Sequence, residues 1–220
     1  MKYVSKPRKR LTAFLVEFRL HGYAKEYSKN LILDVAKRFK VRGVTTNRAV
    51  PHITLYGPSE TDDIRRVISQ VAAVGQKYTL VPFRIKGFDY FDKEGKVIYL
   101  DITPSSELEQ LRYELAQSLS KISTSQNWDT KRKYEFHSTV AFKDIDKKFE
   151  KIWSYIKSRE EPNINQHLLR ITILRRNRTI LCECDLVLKR LLNRREALSK
   201  SLWQETISKW RRLQGLPLQA

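Results

Sequence analysis

The chain of 220 residues carries 43 Lys and Arg against 24 Asp and Glu, a formal charge of +19, with 41% hydrophobic residues and two cysteines. A soluble chain of this length buries roughly 70% of its unfolded surface, so neither a disulfide nor a structural metal is needed to hold a core, and no run of about 18 apolar residues offers a membrane span. The opening twenty residues place a basic start before an apolar run that Glu17 and Arg19 interrupt, with no small-residue cleavage site, so a signal peptide is not expected and a reduced, cytoplasmic protein is. The charge excess points to a polyanion, RNA or DNA before any membrane, although basic residues spread along a chain also suit a merely well-solvated surface.

Residues 1–10 hold five Lys and Arg with Pro7, the composition of a loose basic tail. From Thr12, TAFLVEF is rich in β-formers, and residues 24, 27, 31, 35 and 39 then trace the apolar stripe of a helix. The loop VRGVTTNRAVP leads to a short strand, HITLYGP, closed by Gly57 and Pro58. Thr61 is the expected cap of a second helix, with Asp62 and Asp63 in its first turn and Ile64, Val67, Ile68 and Val71 facing inward. FRIKGFDYF and KVIYLDIT follow as strands around a DKEG turn.

The pattern then returns. After KVIYLDIT, Ser106 and Glu109 offer a capping box, residues 108, 111, 115, 119 and 122 line a helical face, and a polar loop, STSQNWDTKRKYE, leads to the strand FHSTVAF. Forty residues separate Thr12 from His52, and forty separate Val97 from His137, an offset of 85 that indicates an internal duplication. A lysine-rich helix over 145–158 and two β-rich runs, LLRITILRR and RTILCECDLVL, turning at Asn177, complete the second half. Cys182 and Cys184 would share one face of the last run. Residues 189–213 read as one long basic helix ended by Gly215 and Pro217, packed on the body or serving as an RNA-gripping or dimerising arm.

Two of the four histidines are followed at i+2 by threonine, in His-Ile-Thr-Leu from His52 and His-Ser-Thr-Val from His137. With 13 threonines in the chain, chance would produce two such pairs in roughly 2% of cases, so the repetition asks for a reason. In a strand, i and i+2 project from one face, so each motif has a reactive face, His and Thr, and a core face, Ile53 and Leu55 or Ser138 and Val140. Two imidazoles can supply the base and the acid that cleaving a phosphate ester requires. Two hydroxyls can donate to its non-bridging oxygens as charge develops there. No metal or other cofactor is demanded, and the spacings of zinc sites are missing from the sequence.

At these residues the sequence resembles the two-histidine phosphoesterase superfamily, whose members carry two H-x-[ST]-x motifs, and most closely its LigT branch, the RNA 2′,3′-cyclic phosphodiesterases also called 2′-5′ RNA ligases. The resemblance covers roughly residues 11–187. It implies an α+β fold of two pseudo-symmetric lobes, each an antiparallel sheet backed by helices, around a central cleft, with the C-terminal helix as an extra. The domains expected are a basic tail at 1–10, a bilobal body at 11–188 with motifs at 52–55 and 137–140, and a basic helix at 189–220. The resemblance also implies catalytic roles for His52 and His137, phosphate binding by Thr54 and Thr139, and opening of a 2′,3′-cyclic phosphate RNA end to a 2′-phosphate; some members also join or break 2′-5′ linkages. Either histidine can be the base. Lys143 stands where such chains often have Arg, replacing a bidentate clamp by a point charge.

Tyr56 beside the first motif is a candidate base-stacking residue, and Arg48, Arg132 and Lys143 are candidate substrate contacts, as are Arg42, Lys131 and Lys133 in the loops before the motifs. His21 and His167 lack the following threonine and read as packing or surface residues. The expected partner is RNA with a 2′,3′-cyclic phosphate end, bound by a monomer and more weakly as salt rises. Two other readings remain open: a non-catalytic nucleotide or RNA-binding module, and the same chemistry on a small cyclic nucleotide or 2′-5′ oligoadenylate, against which the charge argues mildly.

Overall fold

The computed structural model describes residues 11–45, 49–92 and 95–217; the basic tail at 1–10, Arg48, and Lys93 and Glu94 of the DKEG turn lie outside the described residues. The first repeat runs β1 (Thr12–Arg19), α1 (Gly22–Phe39), β2 (His52–Thr61) and α2 (Ile64–Gln76). After β3 (Val81–Phe91), the second runs β4 (Val97–Pro104), α3 (Ser106–Leu119), β5 (His137–Phe142) and, past a 3₁₀ turn at Asp146–Lys148, α4 (Phe149–Lys157). Each repeat begins its first strand and its motif strand at the residues the duplication names. The equal interval hides unequal parts, because α1 has 18 residues and α3 has 14. A longer loop before β5 makes up the difference.

Strand pairing is antiparallel throughout, in two sheets ordered β2-β1-β7-β8-β9 and β5-β4-β3-β6, where β6 is Asn163–Leu168, β7 Arg170–Arg175, β8 Ile180–Asp185 and β9 Arg190–Asn193. The fold is α+β, with two sheets and six helices among the described residues. β2 and β5 are edge strands, and the two sheets meet along them. α1 of the first repeat packs beside β5 of the second, and α3 packs beside β2, which is the exchange a pseudo-twofold axis between the motif strands produces. Alternation does the rest: Phe14, Val16, Phe18, Ile53 and Leu55 of one sheet and Ile98, Leu100 and Ile102 of the other enter a single buried core. Their strand neighbours Glu17, Arg19, His52, Thr54, Tyr99, Asp101, His137 and Thr139 take the opposite faces.

Several expectations change. The runs assigned to the second half, β7 and β8, join β1 in the first sheet. Every residue of β7 but Arg175 is buried, because Ile171 and Ile173 enter the core while Arg170 and Thr172 on the other face are covered by Glu183, Asp185 and α6. β2 does not close at Gly57 but continues through a cis Gly57–Pro58 bond to Thr61, with register shifts opposite Phe14 and Val16. Asp63, not Thr61, caps α2, its carboxylate accepting from the Arg65 and Arg66 amides, and Ser105, not Ser106, caps α3 through the Leu108 amide. The helix expected over 145–158 starts at Phe149 after the 3₁₀ turn.

The helix expected over 189–213 is three elements. Residues 190–193 form β9 on the edge of β8, Asn193 and Glu196 close a capping box that starts α5 (Arg194–Ala197), and α6 (Lys200–Leu213) follows from a Ser199 cap. α6 packs on the body. Its fully buried Thr206 donates to Asp185 Oδ2 at 2.6 Å and accepts from Arg170 Nη2 at 2.6 Å, while Arg170 Nε donates to Asp185 at 2.8 Å. Trp203 and Trp210 stack edge-on against His21, whose Nε2 lies 3.0 Å from the His167 carbonyl, so these two histidines are packing residues. Cys182 and Cys184 share the core face of β8, and burial pushes their thiols up to about 12 and about 11. Thr206→Val keeps the volume and removes the hydroxyl from a buried ion pair, which should destabilise the protein by about 1–3 kcal/mol. Thermal denaturation should report it as a drop of roughly 2–4 °C per kcal/mol.

Candidate active site

Each motif histidine opens its strand and is held in the same way. His52 Nδ1 lies 2.8 Å from the Val50 carbonyl and His137 Nδ1 lies 2.9 Å from the Glu135 carbonyl, in both cases two residues back. A carbonyl oxygen only accepts, so each Nδ1 carries a hydrogen and each Nε2 is the working nitrogen. Thr54 and Thr139 follow on the same faces, both half-buried, opposite Glu17 and Tyr99 in the neighbouring strands.

The surroundings of the two rings differ. His52 Nε2 faces the Glu17 carboxylate at 3.8 Å, and Glu17, almost fully buried, is held by Arg19 Nε at 2.8 Å. His137 sits against Phe91 and Tyr99, with ring centroids 5.0 and 5.2 Å away. Burial lowers the His137 pKa below 6.5, its bond to the Glu135 carbonyl opposes this, and the charge of His52 lowers it further. The packing of β2 against β5 brings the two motif strands side by side. Beside His137, Asp101 is raised above the usual carboxylate range by burial and by Asp89.

The loop before β5 is fastened to β2. Thr124 and Glu60 exchange two hydrogen bonds of 2.8 Å, the Tyr56 hydroxyl donates to the Thr124 carbonyl at 3.0 Å, the Gly57 amide donates to Asp129 Oδ1 at 3.1 Å, and the Tyr134 hydroxyl donates to the Thr54 carbonyl at 3.2 Å. Arg112, buried in α3, donates to the Lys131 and Trp128 carbonyls at 2.6 and 3.0 Å and lies over the Tyr134 ring. In the other direction, the Arg42 and Gly43 amides donate to Asp144, just after β5, at 2.7 and 3.0 Å. Gly43 approaches so closely that a Cβ there would lie 1.9 Å from the Phe142 oxygen. Two H-x-T strands, pinned to each other by the loops of opposite repeats, present paired imidazoles and hydroxyls at one seam.

Comparison with known proteins bears on this arrangement. Residues 34–180 match the model of the 2′-5′ RNA ligase superfamily, more than half of the chain. The chain belongs to that superfamily. A solved structure described as "Crystal structure of phosphoesterase" is similar to it at 14% identity, covering 79% of this chain and 97% of that one, with a TM-score of 0.47. None of the curated proteins matches the chain. β1, with Glu17, and everything from β8 onward lie largely outside the span matched by the superfamily model.

Of the remaining candidates, this member of the superfamily places some at the seam and not others. Tyr56 is fully buried, stacked on Phe14, with its hydroxyl committed to Thr124 and Ser123, so it cannot stack on a base. Arg132 turns outward over Tyr113 into a hollow above the start of α3 that contains neither motif histidine. Lys131 and Lys133, both exposed, line a cavity of about 510 Å³ with His137, Phe91 and Tyr134. Lys143, in the left-handed region at φ 72, lines a second hollow with Thr54. Arg48 lies outside the described residues.

Sequence reasoning passed over Glu17, Trp128 and Arg178. Trp128 is 50% exposed and walls the His137 cavity, and a tryptophan in a polar basic loop was the available signal. Glu17 was a lone acid in an apolar strand whose parity puts it opposite Thr54. Among the described residues, no three His, Cys, Asp or Glu side chains gather as a metal site would need, and no helix is long and apolar enough to cross a membrane. NMR titration should find the His137 midpoint below 6.5, and His52→Ala should move it upward by removing the neighbouring charge. A midpoint that ignores His52 would contradict the proximity of the two rings.

Proposed function

We propose that the protein is a phosphodiesterase acting on RNA that ends in a 2′,3′-cyclic phosphate. The observation that carries this reading is the matched pair of imidazoles, each with Nδ1 tied to its own backbone and Nε2 left to exchange a proton without a hydrogen-bond partner among the described residues, on abutting strands that also present Thr54 and Thr139. Superfamily membership supports action on phosphodiester bonds. The aromatic and basic wall of the His137 cavity supports a nucleotide, and the charge of +19 supports a polyanion.

The unequal surroundings divide the labour. His52 Nδ1 is held by the Val50 carbonyl, and its Nε2 faces the Glu17 carboxylate across 3.8 Å, an anion beside the nitrogen that would deliver a proton. His52 is the acid. His137, its pKa lowered by burial among Phe91 and Tyr99, keeps a lone pair on Nε2 and is the base. His137 takes a proton from water as the water oxygen bonds to phosphorus. His52 gives its proton to the 3′ oxygen as the P–O3′ bond breaks, leaving a 2′-phosphomonoester and a 3′ hydroxyl. Thr54 and Thr139 donate to the non-bridging oxygens. Run backward, the same groups exchange roles.

An oligoribonucleotide with a 2′,3′-cyclic phosphate end, incubated in EDTA, tests the reading. The native protein should open it, and His52→Ala and His137→Ala should each slow the reaction by about 10²–10⁴-fold. Turnover that survives both substitutions, or that stops with chelator, would refute it. A p-nitrophenyl phosphodiester tests the assignment of roles, since a nitrophenolate leaves without an acid. On it His52→Ala should regain most of its lost rate while His137→Ala does not, and the opposite result would exchange the two roles.

A further inference from the structure

The cavity on the His52 side, about 360 Å³, is bounded by Glu17, Arg19 and His52 from the first sheet, by Arg178 from the β7–β8 turn, and by Arg194 and Leu198 from the C-terminal segment. Three guanidinium groups thus meet one carboxylate, and that carboxylate is already paired with Arg19. Arg178 and Arg194 make no side-chain hydrogen bond or ion pair among the described residues.

Neither arginine is explained by its local structure. Arg178 occupies the left-handed region at φ 61, in a turn closed by the Arg175–Thr179 and Arg178–Arg175 backbone bonds and by Asn177 Oδ1. Glycine or asparagine would adopt that conformation more readily. Arg194 opens α5, but the nearby acid, Glu196, is used by the Asn193 cap and by Arg190 Nη2 at 2.6 Å. Leu198 is 61% exposed beside them. Arg178 also lines the adjoining hollow of about 700 Å³ that holds Thr54, Lys143, Arg175 and Arg176, so the cationic surface continues from the seam to the C-terminal segment.

We propose that Arg178 and Arg194 form a subsite for the phosphodiester one linkage upstream of the reacting phosphate, so that the protein prefers oligonucleotide ends to free mononucleotides. This rests on the phosphodiesterase reading above and adds its substrate class. Both arginines supply charge-assisted donors to an anion that a mononucleoside cyclic phosphate lacks. α5 therefore belongs to the substrate cleft, and α6, tied down through Thr206, holds it there.

The test compares kcat/KM on a mononucleoside 2′,3′-cyclic phosphate and on a dinucleotide ending in the same cyclic phosphate. Point variants serve better than truncation, because removing α6 would uncover the Arg170–Asp185 pair. The native protein should favour the dinucleotide, with a log–log salt dependence steeper by about 0.7. Arg194→Ala, and Arg178→Gly, which keeps the turn, should each reduce that preference about tenfold, mainly through KM. Arg66→Ala, on the outer helix α2, provides the comparison for diffuse charge. A native protein indifferent to the second phosphate, variants that lower both substrates in proportion, or an equal change in Arg66→Ala would overturn the subsite while leaving the phosphodiesterase standing. A native protein inert on both substrates would overturn the phosphodiesterase reading, and the subsite with it.

Discussion

Everything at the seam depends on the free edge of β2 being occupied by the other repeat. β2 and β5 end their sheets, and an edge strand left open is both mobile and prone to pairing with other chains. Here the stretch from Ile122 to Tyr134 covers β2 with backbone, hydroxyl and carboxylate bonds. The Gly43 approach and Asp144 fasten the opposite repeat at the end of β5. Each such bond contributes only about 0.5–1.5 kcal/mol net. Their importance is geometric: either motif could be displaced only by breaking bonds made by the other repeat, and the proposed chemistry, which uses both motifs at once, gains from that mutual constraint.

The two repeats offer matching histidines, whereas the proposed reaction needs unequal ones. The backbone treats them alike, each Nδ1 held by a carbonyl two residues back. Asymmetry enters from the adjacent strand, Glu17 and Arg19 in β1 against Tyr99 and Asp101 in β4. The two histidines thus differ through their neighbours while the motif around each stays intact, which is the difference the proposed division into acid and base uses. The unequal repeats add a second asymmetry: α3 is a turn shorter than α1, and the residues released lengthen the loop that carries Trp128, Lys131 and Lys133 to the His137 side.

The motifs, the duplication and most element cores were legible because they rest on local periodicity: apolar stripes in α1 and α3, alternation in β2 and β5, and two histidines each two residues from a threonine. Features decided by distant partners were not. NINQHL in β6 is polar and becomes a strand only because β3 lacks a neighbour on that side. RLLN looked helical because its leucines continue an apolar stripe, but β8 offered an open edge and Asn193 with Glu196 supplied a helix start three residues later. Tyr56 looked available for stacking because it follows the motif. The register shift opposite Val16 turns it inward, where Thr124 takes its hydroxyl. Glu17 and Arg178 required knowledge of which strands pair, and no spacing rule carries that.

The polar face of the first sheet explains why the chain continues past the matched span. β1, β7 and β8 carry Glu17, Arg19, Arg170, Thr172, Glu183 and Asp185 on the side away from the core, and this charged row extends well past His52. Left open, Arg170 and Asp185 would face solvent and the cleft would have no end. α6 lies across that half, matching Thr206 to both charges and Trp203 to the Arg170 guanidinium, and so converts an open sheet face into a wall. The uncovered remainder is the strip from Arg19 to His52, and its far boundary is Arg194 and Leu198 on the segment that the helix anchors. The C-terminal segment is therefore joined to the body by buried charge on one side and lends Arg194 and Leu198 to the hollow beside His52 on the other. That combination ties the shape of the hollow beside His52 to the packing of a segment some 140 residues downstream of the first histidine motif.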